Sequence, residues 1–287
     1  MTIAALLCRL VAPTRLAGVA LSAAAGCSAA LAYPSFQVNE SAIPGTGTNV
    51  ISVDRMGVSY ASQIFQQVAG GLGGGDDPFR EVGYLQITGY GNGAAILPAY
   101  LNGMGSTGYG LYATFSIDGE TDPGASSGSV HARFLSGHLT LWADVNSNTV
   151  LGLAGTGSGI SVQGSSVSDD VALGTALLTA GEARLFTSMV GGSFSADLRL
   201  TLNGTGQQLF QLGGGNFYEY LHLSGNKTWA ANPAGVLGSG GTVCSSGAGT
   251  LSASPFADVN AVPEPSSALL LATALMCLAL TWRRGQD

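Results

Sequence analysis

The chain has 287 residues, of which 46% are hydrophobic and only 9% charged, with a net charge of −7. Nucleic-acid binding needs a basic footprint to neutralise phosphates, and Tyr33–Val262 carries 15 acidic residues against 6 basic ones, with Lys227 the sole lysine. Of the four cysteines only Cys244 falls in that middle region, so the exported domain has no internal disulfide to rely on.

Arg9 and Arg15 precede an apolar, Ala-rich run from Leu16 to Ala32 that ends Ala30-Leu31-Ala32. Small residues at −3 and −1 suit signal peptidase, which places the cut between Ala32 and Tyr33. A second reading takes Ala24-Ala25-Gly26-Cys27 as a lipoprotein-type ending with Cys27 as the lipid anchor. Residues 1–32 are therefore read as a signal peptide and 33–235 as the folded domain.

That middle region holds 41 of the 44 glycines. Glycine at this level disfavours long helices and suits short strands joined by tight turns. Ser59–Val68 is ambiguous and reads as a short helix, and 70–78 as a Gly-rich loop. Gly103-Met104-Gly105-Ser106-Thr107-Gly108 fits a dinucleotide fingerprint in letters only, because a strand follows it where the fingerprint needs a helix. Leu111, Ala113, Phe115 and Ile117 alternate with polar residues, a strand pattern. The loop 121–129 contains Gly124-Ala125-Ser126-Ser127-Gly128, a nucleophile-elbow spelling without the buried strand and helix that the elbow needs. Its histidine partner would have to be His131, His138 or His222.

Leu139, Leu141, Ala143 and Val145 form the next strand. Asp144-Val145-Asn146-Ser147-Asn148-Thr149 then places oxygens at alternate positions, as calcium loops do. Asp144, Asn146 and Asn148 are weak calcium candidates, since the glycine and distal Glu of an EF-hand loop are missing. Asp76-Asp77 and Asp169-Asp170 are further carboxylates available to such a site. Val171–Arg184 again reads as a short helix. Phe194 to Leu202 gives the cleanest alternation in the chain, ending at Asn203-Gly204, a hairpin-type turn. Gln207–Leu212 reads as the returning strand and Phe217–Leu223 as another. Tyr109, Tyr112, Trp142, Tyr218, Tyr220 and Trp229 offer rings for a sugar-stacking face. Residues 236–262 read as a Gly/Ser-rich stalk or the last strands. Many short strands between turn signals predict an all-β fold, an antiparallel β-sandwich or jelly roll with Gly-rich loops. No catalytic cluster and no cofactor motif emerges, so no enzyme activity is expected.

The tail, 263–287, reads Val262-Pro263-Glu264-Pro265, then 17 uncharged residues from Ser266 to Trp282, then Arg283-Arg284. As a helix this run spans roughly 25 Å, just enough for the ~30 Å hydrocarbon core if its ends lie in the interfaces. The arginines stay cytoplasmic under the positive-inside rule. The tail is thus either a permanent anchor or a sorting signal.

This three-part tail resembles that of PEP-CTERM proteins, the substrates of exosortases. Tyr33-Pro34-Ser35-Phe36-Gln37-Val38, the stretch Gly108–Ser116 and the Asp144–Thr149 segment make the chain most similar to the flocculation-associated PEP-CTERM proteins. The resemblance implies a Gram-negative host and export. It implies processing by signal peptidase and by exosortase at Pro263, Glu264 and Pro265, with loss of the helix and of Arg283 and Arg284. It also implies a tether to the membrane through that helix beforehand, and surface or matrix placement with extracellular polysaccharide afterwards. A lectin-like module, with or without calcium dependence, and a secreted hydrolase are the alternatives.

Overall fold

The computed structural model describes residues 35–66, 77–97, 99–103, 108–122, 129–186, 191–211, 220–229 and 241–254. Tyr33–Ala257 forms one compact unit. The chain is all-β, and its main feature is a closed eight-stranded antiparallel barrel. In chain order the staves are β3 (Arg55–Gln66), β4 (Asp77–Asn92), β6 (Tyr109–Asp122), β7 (Ser129–Val145), β10 (Val171–Phe186), β11 (Gly191–Leu202), β13 (Tyr220–Trp229) and β14 (Gly241–Ser254). Each stave pairs with the next, and β3 bonds both β14 and β4. The expected sandwich or jelly roll is corrected on this point. Closure removes the sheet edges that a sandwich leaves to be protected.

Alternation sends one face of each stave inward. On β3 the buried positions are Met56, Val58, Tyr60, Ser62, Ile64 and Gln66. The outward positions include exposed Gln86, Thr88, Thr175, Glu182, Ser193, Arg199, Asn226 and Ser246. A barrel that crosses a bilayer carries its apolar band outside; these strands carry theirs inside. Among the described residues no helix is long and apolar enough to cross a membrane.

Two expected helices are strands. Ser59–Val68 belongs to β3 up to Gln66, and Val171–Arg184 lies within β10. In β3 the inward Ser62 and Gln66 hide the two-residue period. In β10 the register shifts between Ala172 and Gly174 on one side and between Leu178 and Ala180 on the other. Each extra residue resets the alternation, so Leu173, Ala176 and Ala183, all buried, fall at spacings that imitate a helix. Gln207–Leu212 is corrected in the other direction: Gln207–Leu209 end a short helix, α1 (Gly204–Leu209), and only the two-residue β12 (Phe210–Gln211) is strand. Asn203, expected as a hairpin turn, accepts from the Gly206 N–H at 3.0 Å and caps that helix. The segment expected as a stalk or last strands contains the final stave, β14.

Glycine serves the interior as well as the turns. A Cβ at Gly119 would sit 2.4 Å from the Phe79 ring, one at Gly181 2.5 Å from Phe134, and one at Gly83 2.6 Å from Phe115. Large rings and glycines alternate across the barrel, which is how a small barrel fills its interior.

One barrel end is plugged. The three-stranded sheet of β12, β1 (Phe36–Asn39) and β2 (Val50–Val53) lies there with α1 and the 3-10 turn Glu40–Ala42. The sheet delivers Phe36, Val38, Ile51, Val53 and Phe210 to the core, and α1 delivers Leu209. Two further strands, β8 (Val150–Ala154) and β9 (Ser161–Ser165), form a hairpin outside the barrel, and β5 (Ala95–Leu97) folds back antiparallel on the end of β4.

Candidate functional site

Three polar constellations stand out: one on the outer surface after β7, one in the plug and one inside the barrel.

The first contains the calcium candidates. β7 ends at Val145, and the chain turns through Asn146 and Ser147 at φ 74° and 51°. The Asp144 carboxylate accepts the N–H groups of Asn148 at 3.0 Å and Thr149 at 3.1 Å. Asn146 and Asn148 donate their side-chain amides to Asp169 at 3.1 and 3.2 Å. Thr149 donates to Asp170 at 2.9 Å, and Tyr112 donates to the same carboxylate at 2.5 Å. Asp144, Asn146, Asn148, Asp169 and Asp170 are therefore brought together, and Asp77 is elsewhere, paired opposite Thr121. Burial holds the Asp144 carboxyl above its ordinary range; the charges of Asp170 and Asp169 add to this, and the two N–H donors oppose it. Chemically this is a hydrogen-bonded turn with the amide nitrogens, not the carbonyl oxygens, toward Asp169. Among the described residues no group of three His, Cys, Asp or Glu side chains is arranged to hold a metal ion.

The aromatic set divides. Tyr109 points inward and is fully buried, whereas Tyr112 and Trp142 stack on the outer side of the wall, centroids 6.4 Å apart and planes 15° apart, with Tyr112 itself buried and Trp142 half-buried. Tyr220 lies on β13 opposite Arg199, three staves away from β7. Tyr218 and the Trp229 side chain lie outside the described residues. No single stacking face gathers the described rings.

The second constellation is centred on Glu40, which has no exposed surface. It accepts from Asn49 Nδ2 at 2.8 Å, from the Tyr100 N–H at 3.0 Å and from the Tyr109 hydroxyl at 2.9 Å. The Tyr109 and Tyr90 hydroxyls lie 2.8 Å apart, and burial raises both above the phenol range. This buried carboxylate ties the plug to β6.

The third is an ion pair in the barrel interior. Lys227 Nζ lies 2.7 Å from both Glu81 oxygens, and the two side chains are 4% and 3% exposed. Ser62 donates to Glu81 at 2.6 Å. The rings of Phe194, Phe134 and Tyr60 surround the ammonium at 5.6 to 5.9 Å, close enough for cation–π attraction. Burial pushes the Tyr60 hydroxyl up, and the Glu81 charge adds to it. Sequence reading passed over this pair. Its one available signal was Lys227 itself, a lone lysine in the inward register of an alternating strand.

The catalytic spellings gain no support. β6 starts at Tyr109, directly after Gly103–Gly108, so a strand stands where a nucleotide fingerprint needs a helix. Gly124–Gly128 lies outside the described residues. His222 Nδ1 lies 2.7 Å from Asp197, and Ser252 is opposite His222 on the next strand. This row lies mid-sheet, where the backbone N–H groups are committed to the ladders between β11, β13, β14 and β3. An acyl-transfer site needs such donors aimed at the developing oxyanion.

The sorting residues Pro263, Glu264, Pro265, Arg283 and Arg284, the apolar run between them and the signal-cleavage residues Ala30, Ala32 and Tyr33 lie outside the described residues. No family model matches the chain, and neither a curated protein nor a solved structure matches it.

Proposed function

We propose that this chain is an exported, exosortase-processed surface or matrix protein that promotes cell aggregation together with extracellular polysaccharide. The observation that carries this reading is the tail: Pro263-Glu264-Pro265, an uncharged run of 17 residues and Arg283-Arg284. The fold is compatible with cleavage there. The last stave ends at Ser254, ahead of Pro263, so removing the tail takes nothing from the closed barrel. Phe36 enters and Ser254 leaves at the plugged end, where Arg55 pairs with Ser252 and Phe36 with Val53. The polar outer face suits contact with a hydrated polymer.

The test is the intact mass and terminal peptides of the protein from its native host. A product that begins at Tyr33 and ends within Val262–Pro265 is expected. Retention of Ser266–Asp287 would make the tail a plain anchor and sink the exosortase reading. Gene deletion tests the aggregation role: loss of flocs with normal polysaccharide output is expected, and unchanged flocs would count against it.

The second reading is a carbohydrate-binding module, favoured by the half-buried Trp142 ring, which stacks on the buried Tyr112 beside Asp170. Its calcium-dependent form requires Asn146 and Asn148 to turn their carbonyl oxygens toward the ion and give up their bonds to Asp169. A glycan array run with and without calcium separates the two readings.

A further inference from the structure

The plugged end of the barrel is built from an uncharged part of an acidic chain. Residues 35–53, 91–103 and 203–211 meet there, and Glu40, which has no exposed surface, is the one charged residue in these three segments. The other 14 acidic residues of Tyr33–Val262 all fall elsewhere. On the rim, Asp54 is paired with Arg55 at 3.3 Å, and Asp169 and Asp170 bound the end on the β7 side.

This end also exposes apolar side chains. β2 sends Ile51 and Val53 into the core and turns Val50 and Ser52 away from it. Val50 is 54% exposed, Ile96 86% and Tyr100 39%. Hydrogen bonds gather them. The Asn49 side chain and the Tyr100 N–H both donate to the Glu40 carboxylate, at 2.8 and 3.0 Å, which sets Tyr100 beside the start of β2. The Asn92 side chain donates to the Ser52 carbonyl at 3.1 Å, and Ile96 pairs opposite Gly91, which sets the β4–β5 turn against the other end of β2. Large apolar side chains gathered on an uncharged face mark an interaction surface.

The path of the chain identifies the partner. Ser252, Arg55, Gly91 and Ile96 stand in one row across β14, β3, β4 and β5. Ile96 is thus three strand spacings, roughly 14 Å, from the last stave. Ser254 ends that stave, and 11 residues separate it from Ser266, where the uncharged run of the tail begins. Even fully extended, this link holds the plugged end within about 40 Å of the start of that run. A short tether raises the effective concentration of the surface it is anchored in, so a small apolar contact suffices. An uncharged face avoids the cost of bringing unpaired charge into the lipid interface, and a tyrosine ring suits that interface.

We propose that the plugged end docks on the lipid interface that holds the tail, with Val50, Ile96 and Tyr100 inserted. This rests on the reading of Ser266–Trp282 as a membrane-spanning segment. The experiment uses the full chain from Tyr33 to Asp287 in phosphatidylcholine vesicles, with Cys244→Ser and Cys277→Ser and one nitroxide label at a time. Labels are placed at Val50→Cys and Ile96→Cys, and, as controls, at Leu135→Cys and Leu177→Cys, which are exposed and apolar but lie on the barrel wall. Flotation reports insertion of the tail. Relaxation by oxygen, which concentrates in lipid, is compared with relaxation by a water-soluble nickel chelate. The oxygen-to-nickel ratio should be several-fold higher at 50 and 96 than at 135 and 177. Ile96→Asp should return the label at 50 to the level of the controls. Equal ratios at all four positions in a chain that floats would overturn the docking and leave the tail reading standing; a chain that does not float overturns both. An unchanged ratio at 50 in a folded Ile96→Asp chain would also overturn the docking. Should that variant unfold, the comparison of 50 and 96 with 135 and 177 decides.

Discussion

Replacing Lys227 with methionine keeps an unbranched apolar side chain, one atom shorter, and removes the ammonium that lies among the rings of Tyr60, Phe134 and Phe194 in the barrel interior. Glu81 is then a carboxylate with 3% exposure and the Ser62 hydroxyl at 2.6 Å as its remaining named partner. Breaking a buried pair by deleting one member costs about 3–5 kcal/mol, because the desolvated charge is left without compensation. A domain of this size has a stability on the order of 5–15 kcal/mol, so the single variant loses a large fraction of it. The double variant K227M/E81L removes both charges. It should recover most of the loss, since replacing a buried pair by apolar groups is often neutral or stabilising by about 1–4 kcal/mol, less roughly 1 kcal/mol for the Ser62 hydroxyl that loses its acceptor. Urea denaturation of Tyr33–Ala257, followed by circular dichroism, measures all three. A loss under 1 kcal/mol in K227M, or a double variant as unstable as the single, would refute the placement of this pair in the barrel core.

Other consequences are as direct. A chain ending at Gly240 lacks β14 and leaves β13 and β3 with unpaired edges; it should show no cooperative unfolding transition, whereas a chain ending at Ala257 should match the midpoint of the mature protein. Glu40→Gln keeps the shape of the plug but replaces a carboxylate that accepts from Asn49, Tyr100 and Tyr109; a loss of about 2–3 kcal/mol is expected, because hydrogen bonds to a charged group contribute about 1.5–3 kcal/mol each. Asp144 has a raised pKa in the fold. The folded state therefore binds its proton more readily than the unfolded state, and the ionised group weakens the fold at neutral pH. That penalty disappears as pH falls through the folded value toward the ordinary 3.8. Asp144→Asn removes this titration, so its thermal midpoint should change less with pH over that window than that of the unmodified protein. Parallel curves would contradict the assigned shift.

Much of the β content was legible in the chain because a half-buried strand repeats every two residues. The 194–202, 111–117 and 139–145 alternations each lie within a stave, with the apolar set inside. The signal failed where the barrel imposed something non-local. Leu173 and Thr179 of β10 are the extra residues at two bulges, and a bulge shifts the phase of the alternation with no local residue to announce it. Ser62, Gln66, Glu81 and Lys227 are polar yet inward, and only the placement of β3, β4 and β13 around one axis explains why they are tolerated. Of the candidate site, the Asp144–Thr149 turn could be read locally, since an Asp side chain accepts N–H groups a few residues on. Its meeting with Asp169, Asp170 and Tyr112 depends on the 3-10 turn Val167–Asp169 returning to β7, which spacing does not encode.

By itself, then, the sequence determined the class of the fold, the inward faces of its regular strands and the acidic, lysine-poor surface, because these follow from composition and short-range periodicity. Only the tertiary structure decided that the sheet closes, that its first stave meets its last across most of the chain, and that rings fill the room left by inward glycines. Those outcomes depend on pairing between residues far apart in sequence, such as Arg55 with Ser252 and Glu81 with Lys227, and no local pattern carries the energy of a contact made at that distance.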